Sequence, residues 1–525
     1  MISVLDRRAP ARGRTPDRDL PSVSARSVGD SLLVAAVAVV VYALHGTHGY
    51  LERDLGVFVY GGEHVARGIP PYTGIFNSVG PLADAVPGLA IRLGASLGLA
   101  PVPAARLFFL LLSVGCVVLV FVLARDTFRS RGAGLVAAAV FLTFTRFLEL
   151  ASDGPREKTT MVLALLGCLV LLGRRRFVGA GACTAVATLA WQPVLLPAVA
   201  AAGAAMALLH RGTRGRAAAG FVTGGAAPSA VAVAWFAVTG TLSTAFGGFL
   251  LINLLDTHQP SPLLHPSAAF DTLHHAYGGS LLLVPLGIAA LVLLAVRDRR
   301  LWPVAAGGVA ATAWSAAVLN GGPDLFVVLP FAAVGVAGLV VRGAAALRPH
   351  LRDGVLVAVT GTAVVVAGHE AVATRSDLLV PEQADVSGVL ATQPSDATVL
   401  SVDTPEVLAL AARDNPTPYQ LFSRTMLRYL DHTLPGGMEG YVQRVAALQP
   451  TFVTVGRTYR GTWPDRVLAQ DYWRVGAGPG WTWYLDRAAG RPALQAARAA
   501  NTTVMDQITG DRFGGARRAR QSAGA

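Results

Sequence analysis

Apolar runs that approach the length of a membrane span recur through the first 370 residues of this chain. They lie near 31–44, 106–124, 133–149, 159–173, 177–191, 194–209, 218–238, 279–296, 302–319, 324–341 and 354–368. A span of the hydrocarbon core takes about 20 apolar residues, so several runs need flanking residues to cross it. Only 14% of all residues are charged, against about 25% in soluble domains. The sequence therefore predicts a polytopic α-helical membrane protein with about eleven transmembrane helices.

Basic connections follow every second apolar run. They lie at 125–131, 174–176, 210–216, 297–300 and 342–352. Short basic loops stay in the cytoplasm under the positive-inside rule. We therefore predict a multi-pass protein of the cell membrane with a cytoplasmic N-terminus and extracytoplasmic loops between the basic ones. The net charge of +12 is explained by these loops, so it does not indicate a nucleic-acid partner.

The membrane part of the chain is expected to begin after a polar, Arg-rich and disordered cytoplasmic tail at 1–28. Residues 29–369 would form the transmembrane domain, with a long outer-face loop at 45–105. Within that loop, 82–98 is apolar but contains charged residues. Counting it as a span would reverse the sides of the later basic loops. We therefore predict an interfacial or re-entrant helix there, with a true span as the alternative.

Beyond residue 370 the pattern changes to that of a small α/β domain. Short apolar, β-branched or aromatic runs predict strands, and an apolar run after a proline predicts a helix. The strands are expected at 397–402, 451–455 and 481–485, and the helix at 405–413. The alternation of basic and non-basic loops, which we call charge parity, places this domain, 370–490, outside the membrane. Residues after about 490 are expected to be helical at first and then disordered, and 491–525 is predicted to be a basic, disordered tail.

Three adjacent charged residues, Glu52, Arg53 and Asp54, follow the first apolar run directly. Charged groups beside the apolar phase are costly unless they are paired or hydrated, so they suggest a functional site. Arg53 can pair with one carboxylate and leave the other free. The free carboxylate could act as a general base or hold a divalent cation. The alternative is a solvated loop cap.

A second charged cluster, Asp153 to Lys158, precedes the run at 159–173 and contains the only lysine of the chain, Lys158. A helix that begins here would direct backbone N–H groups at an anion. Arg156 and Lys158 add positive charge, and a phosphate group fits that combination. The alternative is a helix start with flanking charges. Because both clusters fall on the outer side, we predict that they meet and form an active site.

The order of motifs in the first 210 residues resembles the GT-C glycosyltransferases. The motifs are Glu52-Arg53-Asp54, Gly68-Ile69-Pro70-Pro71-Tyr72, Pro81-Leu82 and Arg106-Leu107. The nearest group is the dolichyl-phosphate-mannose mannosyltransferase-like group, related to glycosyltransferase family 39. The resemblance covers roughly residues 30–210. It implies transfer of a mannose-like sugar from a polyprenyl-phosphate donor on the outer face of the membrane.

Site residues follow from the resemblance together with the charge pattern. Asp54 would be the base, Asp153 or Glu157 would support it, and Arg156 and Lys158 would hold the donor phosphate. The candidate catalytic residues are Asp54, Glu52, Asp153 and Glu157. The candidate substrate-binding residues are Arg53, Arg156, Lys158, Tyr72 and Gln192. In contrast to related transferases, Ser78-Val79-Gly80-Pro81 lacks the lysine often found shortly before that proline, which weakens the expectation of a phosphate contact there.

The sequence leaves the partners and two other functions open. The acceptor could be a glycan, a lipid or a protein, and membrane lipid surrounds the helices. No cofactor is indicated, and a divalent cation stays possible although no metal-ligand spacing is visible. A transporter or flippase of a polyprenyl-linked substrate is one alternative, but transporters usually carry internal repeats and none is apparent. A non-catalytic envelope assembly protein is the other.

Overall fold

A computed structural model describes residues 25–255 and 264–505. The chain forms a helical bundle followed by a mixed domain. The bundle helices are α1 (Ala25–His45), α2 (Arg53–Ala66), α3 (Leu82–Ala95), α4 (Pro101–Phe128), α5 (Arg131–Leu142), α6 (Thr145–Asp153), α7 (Glu157–Gly173), α8 (Phe177–Ala190), α9 (Leu195–Ala207), α10 (Arg211–Val238), α11 (Leu242–Phe246), α12 (Ile252–Leu255), α13 (Pro266–Tyr277), α14 (Leu283–Arg297), α15 (Trp302–Ala317), α16 (Leu329–Ala344) and α17 (Pro349–Ala373).

The apolar runs of the sequence correspond to helices of this bundle, and the chain is a multi-pass membrane protein. Within the described residues, five stretches are long and apolar enough to cross a membrane by themselves. They are Ser27–His45, Pro101–Phe128, Arg211–Val238, Pro266–Arg297 and Pro349–Ala373. Helices α5 and α6 would add a sixth span, bent by 73°. The other apolar helices are shorter, so helix length alone does not fix the predicted number of eleven.

Helix α3 occupies most of the segment predicted at 82–98. Its 14 residues extend about 21 Å, which is less than the roughly 30 Å of a hydrocarbon core. It lies along α2, where Gly62 faces Pro87 and Gly88 faces Val65 at distances that leave no room for a larger side chain. Helices α5, α8 and α9 are no longer than α3, so the interfacial or re-entrant element stays a prediction.

Small residues let neighbouring helices approach closely. A methyl group at Gly181 of α8 would lie 1.9 Å from the carbonyl oxygen of Phe221 in α10. A methyl group at Gly335 of α16 would lie 1.8 Å from the carbonyl oxygen of Gly287 in α14. Because lipid removes most of the hydrophobic drive between helices, such close backbone packing is a main source of their association.

Two of the basic connections meet at one end of the bundle. Arg131 pairs with Asp30 near the start of α1 at 2.7 Å, and Arg174 pairs with Asp126 at 2.8 Å. Arg125 also contacts this side of α1, through a hydrogen bond to Ser27. These contacts place the loops at 125–131 and 174–176 beside the start of α1, on the same side, as the charge parity requires.

The C-terminal domain contains, in the described part of the chain, a four-stranded sheet in the order β1-β2-β4-β3. Strands β1 and β2 are parallel, and β4 is antiparallel to both of its neighbours. The strands are β1 (Val399–Val402), β2 (Phe452–Gly456), β3 (Tyr472–Ala477) and β4 (Trp481–Asp486), and the helices are α18 (Leu379–Leu390), α19 (Pro405–Ala411), α20 (Arg424–Thr433), α21 (Gly437–Leu448) and α22 (Trp463–Asp471).

Three of the four strands and helix α19 were predicted from the sequence, and these predictions are confirmed. Strand β3 was missed, because a register shift between Arg474 and Gly476 interrupts the alternation that marks a strand. A further helix spans 490–505, and its Asn501 donates a hydrogen bond to Asp385 of α18 at 2.7 Å. The prediction of a helix after about 490 is therefore confirmed, whereas the disordered tail predicted over 491–525 does not include 491–505. The rest of that tail, and 1–24 of the N-terminal tail, lie outside the described residues.

The domain is docked on the first loop and α2. The backbone N–H of Leu51 donates to Glu382 at 2.9 Å, and that of Asn415 donates to the hydroxyl of Tyr60 at 2.9 Å. Gly56 of α2 lies so close to α19 that a methyl group there would be 2.5 Å from the backbone nitrogen of Glu406. The first loop is thus held between the bundle and the domain.

Replacing Gly56 by alanine is expected to weaken this docking. The new methyl group would meet backbone atoms of α19, which cannot move away as a flexible side chain can. Overpacking of this kind typically costs about 1–3 kcal/mol. Thermal unfolding and limited proteolysis of the purified protein would measure it. Gly203→Ala is the matched control, because Gly203 is a helical glycine with open space around it; equal behaviour of the two variants would contradict the prediction.

Candidate active site

The Asp54 carboxylate lies in the first turn of α2 between two guanidinium groups. Its Oδ2 accepts a hydrogen bond from Arg156 at 2.8 Å, and its Oδ1 accepts one from Arg53 at 3.0 Å. The Asp54 side chain is 41% exposed, whereas that of Arg156 is 8% exposed. The two charged clusters of the sequence are therefore in contact, as predicted. Arg53 also donates to Asp403, in the turn after β1, at 2.9 Å.

A layer of alternating charges continues from Arg156 into the bundle. Arg156 lies 3.2 Å from Glu157, which lies 3.8 Å from the Lys158 ammonium group. All three side chains are buried. Arg156 is the N-cap of α7 and Glu157 is its first residue, so the helix begins directly at the cluster. The guanidinium group of Arg156 also lies over the ring of Phe58, 5.8 Å from its centroid.

Lys158 is held from two other sides. Its Nζ donates to Asp324 at 2.5 Å and lies 5.1 Å from the centroid of the Trp191 ring. Asp324 also accepts a hydrogen bond from the backbone N–H of Asn320 at 2.7 Å. Both charges of the Lys158–Asp324 pair are buried. The ammonium group is therefore fixed in position beside Arg156 rather than solvated.

The electrostatics keep Asp54 ionised. Partial burial raises the pKa of Asp54, but the neighbouring Arg156 and Arg53 lower it further, so the pKa lies well below its usual range. Burial likewise raises the pKa of Asp324, and Lys158 more than offsets this, so the net shift is downward. The site thus contains fixed cations whose charges are balanced by carboxylates in the described structure.

Glu52 and Asp153, the other two residues predicted to be catalytic, have their hydrogen-bond partners outside this charged layer. Both carboxylate oxygens of Glu52 accept from Arg146, at 2.9 and 2.8 Å. Asp153 accepts a hydrogen bond from the backbone N–H of Gly49 at 3.1 Å. A methyl group at Gly49 would overlap the Asp153 carboxylate. Asp153 therefore supports the first loop and makes no hydrogen bond to Asp54.

Two of the predicted substrate-binding residues have framework contacts. The Tyr72 hydroxyl donates to the carbonyl oxygen of Val79 at 2.7 Å, and its ring is buried. Gln192 donates to the carbonyl oxygens of Ser78 and Phe249 at 3.2 and 3.0 Å. Both side chains are occupied in joining loops to one another. The role in substrate binding predicted for them stays a prediction, and the contacts favour a structural one.

In residues 25–255 and 264–505, no group of three or more His, Cys, Asp and Glu side chains has the arrangement of a metal-ion site. The charged layer instead offers guanidinium and ammonium groups, which are donors for an anion.

Comparison with known proteins identifies the architecture. No protein-family model matches the chain, and no curated protein matches it in sequence. ArnT from Cupriavidus metallidurans in the apo state aligns over 88% of this chain and 98% of its own, at 15% identity and a TM-score of 0.57. ArnT bound to undecaprenyl phosphate aligns over 87% and 98%, at 15% identity and a TM-score of 0.56. The chain has the GT-C fold.

The GT-C fold is the one that the motifs of the first loop resemble, and the match extends well beyond residues 30–210 to the C-terminal domain. The Archaeoglobus fulgidus oligosaccharyltransferase also aligns, over 88% of this chain and 74% of its own. Its identity of 13% and TM-score of 0.46 are too low for a conclusion.

Several charged residues that pair with the two clusters were not predicted as site residues. Arg146 and Asp403 pair with Glu52 and Arg53, yet each lies far from its partner in the sequence. Asp324 lies in the turn from Asn320 to Asp324, which the sequence marks by its glycines and proline. An acidic residue in a turn near a predicted span was the available signal for Asp324. Asp403 has only the local signal of a turn after a strand.

The buried Glu382, which accepts a hydrogen bond from Leu51 of the first loop, should make the stability of the protein depend on pH. Burial raises its pKa from 4.5 to about 8. A carboxyl group with a raised pKa in the folded state favours folding at low pH, and this contribution is lost as the pH rises through the folded pKa. We expect the unfolding temperature to fall between pH 5 and about 8, and Glu382→Gln to flatten that decline while still accepting from Leu51. Thermal unfolding across this pH range tests it; parallel curves for both proteins would contradict it.

Proposed function

We propose that this protein transfers a sugar, a mannose-like hexose, from a polyprenyl-phosphate donor to an acceptor on the outer face of the membrane. One observation carries the proposal: the partly exposed Asp54 carboxylate contacts the buried Arg156 guanidinium, with Lys158 fixed beside it. In a displacement at an anomeric carbon, a carboxylate can act as the base and fixed cations can stabilise the leaving phosphate. The positive-inside pattern supports an extracytoplasmic position for this site and a cytoplasmic N-terminus.

The cations fit a phosphate leaving group. Negative charge increases on the phosphate oxygens as the bond to the anomeric carbon breaks, and fixed donors stabilise that charge without reorganisation. Arg156 and Lys158 are the groups that would bind those oxygens. Support comes from the shared fold, because ArnT has been solved with undecaprenyl phosphate bound. The proposed partners of this chain are accordingly a polyprenyl-phosphate sugar and a glycan, lipid or protein acceptor.

Asp54 would activate the acceptor hydroxyl. While Arg156 donates to it, the pKa of Asp54 is too low for an efficient base. A donor phosphate that takes over the guanidinium of Arg156 would remove this stabilisation and raise the pKa of the carboxylate. Donor binding would then prepare the base, and direct attack by the acceptor would invert the anomeric centre.

The test is donor consumption by the purified full chain in lipid nanodiscs. The protein is incubated with undecaprenyl phosphate carrying mannose, glucose or another hexose, together with a membrane extract as the source of acceptor. We expect release of undecaprenyl phosphate from one donor and a new glycosidic bond in the extract. If no donor is consumed and a lipid-linked sugar instead crosses the bilayer of reconstituted vesicles, the protein is a transporter and the proposal is wrong.

A further inference from the structure

A polar cavity of about 160 Å³ lies beside the charged layer, on the other side of the start of α2. It is lined by residues at the ends of α1 and α17, in the first loop and in α6. Its volume corresponds to roughly five water molecules, so it can hold a small polar group and has no room for a lipid chain. The polar side chains that line it include His45, Tyr50, Glu52, Arg146, Glu149 and Asp153.

Hydrogen-bond acceptors predominate among these side chains. Three carboxylates, of Glu52, Glu149 and Asp153, face one guanidinium group, that of Arg146. Arg146 donates to Glu52 and, at 2.9 Å, to Glu149. Each ionised carboxylate has about four acceptor positions, so one guanidinium group leaves most of them unfilled. The lining therefore suits a ligand that brings donors.

His45 provides an independent indication of the same kind. It is 2% exposed, and its Nε2 is buried without a hydrogen-bond partner. Its Nδ1 lies 3.2 Å from the carbonyl oxygen of Gly46, which can only accept. In the tautomer with the proton on Nδ1, this nitrogen donates to that oxygen and Nε2 is an acceptor. A buried acceptor without a donor is costly, and a ligand hydroxyl in the cavity would satisfy it.

Two links place the cavity near the charged layer. Glu52 lines the cavity, and Asp54 lies two residues further along the start of α2. Arg146 lies against Gly322, whose added methyl group would be 3.5 Å from its Cγ, and Asp324 two residues further on holds Lys158. A group attached directly to a phosphate at Arg156 and Lys158 would reach this space.

We propose that this cavity holds the donor sugar and recognises its ring through hydroxyl or amino donors directed at Glu149, Asp153 and His45. The inference rests on the proposed function, and it assigns the sugar specificity of the same site. The donor then lies with its phosphate at the cations and its ring in the cavity, leaving the exposed side of Asp54 for the acceptor.

The test compares binding of lipids with and without the sugar. Undecaprenyl phosphate and its mannosyl and glucosyl conjugates are titrated into the full-length protein in nanodiscs. We expect the wild type to bind one conjugate more tightly than the bare phosphate. Glu149→Gln and His45→Phe should reduce that preference roughly tenfold or more, as expected for lost hydrogen bonds to charged or buried acceptors, and should leave binding of the bare phosphate unchanged.

Controls separate this inference from the proposed function. Glu439→Gln removes an exposed, Arg-paired glutamate of the C-terminal domain and should leave all affinities unchanged. If even the bare phosphate fails to bind, the proposed function itself is wrong. If the bare phosphate binds and no conjugate binds more tightly, or if both cavity variants keep the wild-type preference, the assignment of the cavity is overturned. His45→Phe is the second variant in case Glu149→Gln disturbs Arg146.

Discussion

Replacing Asp54 by asparagine is expected to reduce sugar transfer by roughly 10²–10⁴-fold, the usual contribution of a general base. Asparagine keeps the shape of the side chain and one acceptor oxygen, but it cannot take a proton from the acceptor hydroxyl. Release of undecaprenyl phosphate from the donor, measured in nanodiscs with saturating donor and acceptor, gives the loss in turnover. The affinity for the donor should change much less than the turnover.

Stability should be nearly unaffected by this change. The Asp54 side chain is 41% exposed, which weakens its ion pairs, and in the variant the buried Arg156 keeps Glu157 as a carboxylate partner at 3.2 Å. Asp126 offers a matched control, because it also lies between two arginines, Arg125 and Arg174, each at 2.8 Å, at the end of the bundle with the basic loops. Asp126→Asn should retain full transfer. Wild-type turnover in folded Asp54→Asn would show that Asp54 is not the base.

The parts of the fold that sequence could predict are those set by local pattern. Hydropathy locates the spans because a helix in lipid must present apolar residues along its length. Alternation marked β1, β2 and β4, and it failed at β3, where the register shift beside Gly476 breaks it. Charge parity predicted which loops share an end, and the pairing of Arg131 with Asp30 agrees.

The candidate site was predictable only where its members are close in the sequence or lie at span ends. Arg53, Asp54, Arg156 and Lys158 satisfied that condition. Asp403 did not, because its contact with Arg53 depends on how a separate domain docks on α2, and no local pattern encodes that. Tyr72 is the opposite case: this motif residue, predicted to contact substrate, is buried and donates a hydrogen bond to its own loop, and its predicted role stays a prediction.

Replacing Lys158 by methionine is expected to lower both stability and activity. Methionine matches the length of the lysine stem but leaves the buried Asp324 carboxylate without its cation. Removing one partner of a buried ion pair typically costs about 3–5 kcal/mol. We therefore expect a clear fall in the thermal unfolding temperature. Donor affinity should fall as well, because the fixed ammonium group would no longer face the phosphate.

A double variant separates these two effects. Adding Asp324→Asn to Lys158→Met removes the uncompensated carboxylate, and Asn still accepts from the backbone N–H of Asn320. Most of the lost stability should then return, whereas donor affinity and transfer should stay low, because the cation is still absent. Restoration of transfer along with stability would mean that Lys158 only balances the charge of Asp324. That outcome would leave Arg156 as the cation proposed for the donor phosphate.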